Sequence, residues 1–324
     1  MIKESKDMEE TKMNYRGRVH PDLLEMYDSE PELELDLPDS LRTSMEDEFK
    51  TKGLPAGEEV EVSERYIAGA EGGNIYIRIY RPANNNDIRP GLLWIHGGGY
   101  IAGFVKIDEG LCIRFVTEAK CVVVSVEYRL APEYPYPIPL EDCYSALKWL
   151  YDNAEEINAD KNRIAVAGNS AGGGLTAALS LLARDRGGPK IVFQAPLYPM
   201  LDDSCGTPSC VEMQDRKAWF GECNELAWSM YLSDYNTEDV PQYAAPARAR
   251  DLTGLPAAYT FIGDLDPLRD ETIEYTARLS RAGVPVEFHL YPGCFHAFDV
   301  SPIRTEIGDR ALSGFIDALA RALR

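Results

Sequence analysis

Histidine is scarce in this 324-residue chain: only His20, His96, His289 and His296 occur. Imidazole is the usual base near neutral pH, so any such chemistry here has few candidates. No Cys-x-x-Cys or His-x-x-x-His pair is present, and neither a metal nor another cofactor is expected. No run of eighteen apolar residues occurs, which excludes a membrane-crossing helix, and residues 1–10 lack the apolar stretch of a secretory signal. Positive charge is also short. Lys plus Arg number 33 against 53 Asp plus Glu, a net charge of −20, which repels phosphate backbones and anionic lipid and argues against nucleic-acid or membrane partners. The seven cysteines are an odd number, and Cys112, Cys121 and Cys143 fall in predicted helices or strands, where thiols pack as small hydrophobes. A reducing cytoplasm is the simpler setting, although Cys205 and Cys210 could bridge in an oxidising one.

Glycine, by contrast, is concentrated in two places. His96-Gly97-Gly98-Gly99 is followed about seventy residues later by Gly168-Asn169-Ser170-Ala171-Gly172. Sixteen serines and 26 glycines give a chance expectation of roughly 0.1 for a serine with glycines at plus and minus two, and about 0.002 for His followed by three glycines. The two in this order point to acyl transfer. A serine hydroxyl is a weak nucleophile, so it must stand at a sharp, exposed turn that small neighbours permit. Arg163–Ala167 is predicted as a buried strand, and residues 171–183 as a helix that opens with small residues. The Ala171 N–H then lies at a helix N-terminus, where developing negative charge is favoured. The apolar run Gly91–Ile95 predicts another strand, which puts the Gly triplet at its C-terminal end, where open α/β sheets bind ligands. There the amides of Gly98 and Gly99 can complete an oxyanion hole, while His96 anchors the loop.

Alternating strands and helices begin near Val60, with a hairpin through Glu71–Asn74 into the strand Ile75–Tyr80, and predict a single α/β domain with a mostly parallel central sheet. In chains that share this strand–serine–helix turn the base follows the nucleophile, which leaves His289 and His296. Alternation in Val286–Leu290 sets His289 on a strand surface, whereas His296 follows Pro292-Gly293 in a predicted loop and is the expected general base. The acid is left open, since Asp264 and Asp266 both follow the predicted strand Leu255–Ile262.

From about Tyr66 onward the chain resembles the hormone-sensitive-lipase family of α/β-hydrolase esterases in its bacterial form. The resemblance rests on the two glycine motifs, Glu127-Tyr128-Arg129-Leu130-Ala131-Pro132-Glu133, Asp266-Pro267-Leu268-Arg269-Asp270 and Phe295-His296, with Asn169 departing from the commoner Asp. It implies Asp266 as the acid. It also implies an N-terminal arm (1–50) and a helical insert (202–242) that cap a core made of residues 51–201 and 243–324, and a homodimer paired near residues 284–290. Tyr100 and Phe298 flank the glycine loop and His296 and are the expected pocket walls. The expected activity is hydrolysis of small, short-chain acyl esters by a serine carboxylesterase. Amide or acetyl-ester substrates, or a non-catalytic binding role on the same scaffold, are the alternatives.

Overall fold

The computed structural model describes residues 14–52, 59–84, 86–236, 238–300 and 303–324. Three helices come first: α1 (Tyr15–Arg18), α2 (Leu24–Ser29) and α3 (Asp39–Lys52). Strands β1 (Val60–Ala68) and β2 (Asn74–Pro82) form a hairpin, followed by β3 (Arg89–Ile95), α4 (Glu109–Thr117), β4 (Val122–Glu127), α5 (Ile138–Asp152), β5 (Ala159–Asn169), α6 (Ala171–Asp185) and β6 (Ile191–Leu197). After β6 the chain leaves the sheet to build α7 (Pro208–Glu212) and α8 (Gly221–Tyr231). It then returns through β7 (Ala257–Leu265), α9 (Arg269–Arg281), β8 (Val286–Phe295) and α10 (Glu306–Ala322).

The eight strands make one sheet in the order β1-β2-β4-β3-β5-β6-β7-β8, antiparallel at β1–β2 and β2–β4 and parallel elsewhere. Leu92, Leu93, Trp94 and Ile95 of β3 and Val122–Val126 of β4 are buried. Such near-continuous apolar runs are what a parallel strand covered on both faces requires. Helix α10 shows the complementary pattern. Ile307, Ala311, Phe315 and Leu319 recur every four residues and are buried, and Thr305 caps the helix by accepting from the Gly308 N–H at 3.1 Å.

Strand order decides where a site can form. From β3 the chain steps to β4 on one side and to β5 on the other, so β3 and β5 are parallel neighbours at the point where the order reverses. Ile95 pairs with Gly168 in that ladder, which sets the glycine triplet and the Ser170 turn side by side. The β7–β8 ladder ends at Leu265 and Phe295, so Asp266 and His296 also emerge together.

The N-terminal helices are tied over these strand ends. Tyr15 donates to the Leu265 carbonyl, Tyr27 packs on Tyr15 and Phe295, and Arg42 donates to the carbonyls of Ile101 and Ala131 and to Glu133. The Arg42 hydrogen bond holds the Glu133 carboxyl down to about 2.

Beneath the antiparallel end of the sheet, the fully buried Asp142 on α5 accepts from the Ala70 N–H at 2.9 Å and from Arg129 Nε at 2.8 Å, while Arg129 also donates to the Ala70 carbonyl at 2.9 Å. Removing one partner of a buried ion pair strands the other's charge. We therefore expect Asp142→Ala to lower unfolding stability by about 3 to 5 kcal/mol in urea titration. A loss under about 1 kcal/mol would show that the pair is not structural.

Candidate active site

Ser170 occupies a backbone conformation of φ 54° and ψ −119° between β5 and α6. Its N–H donates to the Leu197 carbonyl at 2.9 Å, and its own carbonyl accepts from Gly174 and Met200. The flanking glycines are demanded by space. A Cβ at Gly172 would run into the carbonyl oxygens of Ile95 and His96, and one at Gly168 into those of Ile95 and Gly172. The strained turn is thus wedged against the end of β3.

His296 lies between the serine and a carboxylate: Nε2 is 2.9 Å from Ser170 Oγ and Nδ1 is 2.7 Å from Asp266 Oδ2. An ionised carboxylate can only accept, so Nδ1 carries the proton and Nε2 is left to accept from the serine hydroxyl. Asp266 is buried, and its other oxygen accepts from the Leu268 N–H at 2.9 Å. Its neighbour Asp264 is committed elsewhere. Strand β8 runs on through Pro292 and Gly293, where the ladder is bulged, and Asp264 Oδ1 accepts the Gly293 N–H at 2.5 Å. His296 therefore follows a strand, where the sequence predicted a preceding loop. Residue His289 lies on the exposed face of β8 beside Glu287.

Gly98 and Gly99 have left-handed backbones, with φ of 113° and 62°, and the Gly98 carbonyl accepts from the N–H groups of Ile101 and Ala102. Both glycines, Ser170 and His296 line one cavity of about 260 Å³. Ala171 is fully buried and supplies the first N–H of α6 beside that cavity. His96 is buried, stacked 4.3 Å from Tyr128, with Nδ1 2.8 Å from the Gly97 carbonyl. Burial pulls its pKa down to about 4. A neutral, enclosed imidazole holds the loop and has no route to substrate.

Two expected pocket walls stand elsewhere. Tyr100 is buried beneath the insert, stacked 4.1 Å from Tyr231, with its hydroxyl on the Met200 carbonyl, and Phe298 packs into the core against Phe261 and Tyr291. Neither lines the cavity. Packing decides it: Tyr100 gains a ring stack and a hydrogen bond beneath the insert, and Phe298 joins the Phe261–Tyr291 cluster, so both rings are drawn into the core. The walls come from Trp219 and Tyr198, whose rings lie 6.3 and 5.1 Å from that of His296, and from Met26, Leu33, Leu41 and Met45 of the N-terminal segment. Sequence carried little signal for them, because scattered apolar residues in loops and helices look like ordinary core. Among the described residues no His, Cys, Asp and Glu group could hold a metal ion.

Comparison with known proteins agrees with this geometry. A family model for the alpha/beta hydrolase fold matches residues 92–300. An esterase of Mycobacterium tuberculosis, LipI, is 36% identical over 300 residues, covering 91% of this chain and 93% of the relative. An arylesterase of Saccharolobus solfataricus is 38% identical over 231 residues, covering 70% and 73%. Among solved structures, a bacterial heroin esterase superposes with a TM-score of 0.91 at 38% identity, covering 95% of this chain and 99% of that one. The chain therefore belongs to the α/β-hydrolase fold family, among the bacterial carboxylesterases that resemble hormone-sensitive lipase, and it is a carboxylic ester hydrolase.

Proposed function

We propose that the chain hydrolyses short-chain acyl esters through a Ser170–His296–Asp266 triad and an acyl-enzyme. The observation that carries this is the single imidazole held 2.9 Å from Ser170 Oγ and 2.7 Å from Asp266 Oδ2. His296 takes the serine proton as Oγ attacks the ester carbonyl, then returns it to the departing alcohol. Asp266 keeps the proton on Nδ1 and stabilises the imidazolium without itself being protonated. The amides of Gly98, Gly99 and Ala171 receive the oxyanion, whose charge develops at the N-terminus of α6. Water then attacks the acyl-enzyme carbonyl, giving its proton to His296, which passes it to Ser170 Oγ as the carboxylic acid leaves.

The N-terminal arm and the insert act as the cap in this proposal. Met26, Leu41 and Trp219 line the cavity from above, which at about 260 Å³ is small beside the ~300–1,000 Å³ typical of ligand pockets. A cavity of that size, walled on one side by those apolar side chains, suits a short acyl group better than a lipid tail. The proposal also includes a cytoplasmic setting, supported by seven unpaired thiols, and a homodimer across the free edge of β8.

Three experiments test it. Ser170→Ala should cut p-nitrophenyl ester hydrolysis by roughly a million-fold while circular dichroism stays unchanged, and more than a few per cent residual activity would remove Ser170 as nucleophile. Asp266→Asn should cost on the order of ten thousand-fold in kcat, and Asp264→Asn far less, since Asp264 serves the β8 bulge. The opposite ranking would reassign the acid. In an acyl series, each buried methylene gains about 0.8 kcal/mol until overpacking of roughly 1 to 3 kcal/mol reverses the trend, so the optimum should lie between acetyl and hexanoyl esters. Faster turnover of a palmitoyl than of a butyryl ester would make the chain a lipase, and preference for a matched anilide would make it an amidase.

A further inference from the structure

The insert carries two thiols that ester hydrolysis leaves unused. Cys205 stands in the loop that follows β6, with a left-handed φ of 50° and partial exposure, and Cys210 is buried on α7. Both are free. The amide nitrogen of Asn224 on α8 lies 3.3 Å from Cys205 Sγ and 3.8 Å from Cys210 Sγ. One nitrogen lies within reach of both sulfurs, so the two thiols share a single buried donor. The two thiols also titrate together: their mutual contact and burial push the Cys205 thiol up while the pair holds one proton more loosely at Cys210.

Asn224 is fully buried, and every polar atom of its side chain is engaged. Its Oδ1 accepts from Trp219 Nε1 at 3.3 Å while its nitrogen faces the two sulfurs. Trp219 in turn lines the active-site cavity and covers Gly99 so closely that a Cβ there would meet the indole at 2.8 Å. The thiols thus connect to the oxyanion loop through one amide and one indole.

We propose that Cys205 and Cys210 are a modification site, closing to a reversible disulfide with hydrogen peroxide, and that closure shifts the Trp219 wall of the active-site cavity. One sulfur of the pair, as its thiolate, attacks one peroxide oxygen and the O–O bond breaks, giving a sulfenic acid and hydroxide. The other sulfur then displaces the sulfenic hydroxyl, and the S–S bond forms. Each sulfur loses one electron, the peroxide gains two, and the two thiol protons leave in two water molecules. A disulfide sulfur is a poorer acceptor than a thiolate, so Asn224 loses partners on one side and its hold on Trp219 changes.

The activity readout rests on the ester-hydrolase assignment, whereas the thiol readout does not. The intact chain is treated with hydrogen peroxide, alkylated and mapped by non-reducing peptide mass spectrometry, with kcat and KM for p-nitrophenyl butyrate measured before and after. We expect a Cys205–Cys210 cross-linked peptide with a mass loss of about 2 Da, and the buried Cys112, Cys121, Cys143, Cys223 and Cys294 still alkylated after unfolding. The kcat/KM should change by roughly threefold or more, dithiothreitol should restore it, and active Cys205→Ser should not respond. The proposal is overturned if both thiols stay reduced, if the bridge forms with kcat and KM unchanged, or if Cys205→Ser responds like the parent. Should the reduced chain hydrolyse no ester, the peptide map still decides the bridge, and the difference in tryptophan fluorescence between the redox forms, if lost in Trp219→Phe, shows that Trp219 moves.

Discussion

The backbone of Gly172 rests against the carbonyl oxygens of Ile95 and His96 more closely than any side chain would tolerate, and the geometry of the site descends from that contact. It seats the first turn of α6 on the end of β3. The Ser170 turn therefore projects over the sheet at a fixed height beside the glycine triplet. Gly168, on the other arm of the turn, is pinned in the same way. Strain at a non-glycine residue with φ 54° persists only where the surroundings over-determine it. Here the β3–β5 ladder below and the hydrogen bonds to Leu197, Gly174 and Met200 around the turn do so.

A second pair of strands does for acid and base what β3 and β5 do for serine and glycines. Leu265 and Phe295 are ladder partners, so the residues after them leave the sheet together, and the 2.7 Å contact of Asp266 with His296 is a consequence of register. The bulge in β8 would leave the Gly293 N–H without a ladder partner, and Asp264 supplies the acceptor. Two carboxylates two residues apart thus have separate work, one at the ring of His296 and one at the backbone of the same strand. The N-terminal helices add a third constraint by lying across both strand pairs, with Tyr15 on the Leu265 carbonyl and Arg42 on the carbonyl of Ile101.

Legibility in the sequence followed how local the physics is. The buried strands and α6 were readable because apolar runs and small-residue helix starts are local patterns. Ser170, Gly98 and Gly99 were readable because a tight turn and a close backbone approach each demand particular residues within a few positions. Asp266 was not separable from Asp264 by residue chemistry alone, since both follow the same strand, and the family resemblance selected it. Tyr100 and Phe298 misled for a specific reason. Adjacency in sequence to a site residue does not say which way a side chain packs, and both rings are drawn into aromatic clusters of the core.

Composition and motif spacing alone thus settled an acidic α/β chain with two glycine-rich turns suited to acyl transfer, because those requirements are met by a handful of neighbouring residues. Which carboxylate faces His296, and which side chains wall the cavity, were decided by the tertiary structure. The first depends on the β7–β8 register and its bulge, across 30 residues of sequence. The second depends on bringing Met26, Trp219 and His296 from three distant segments around one volume. No local pattern encodes such a meeting, because its energy lies in burial shared among surfaces that only the folded chain brings into contact.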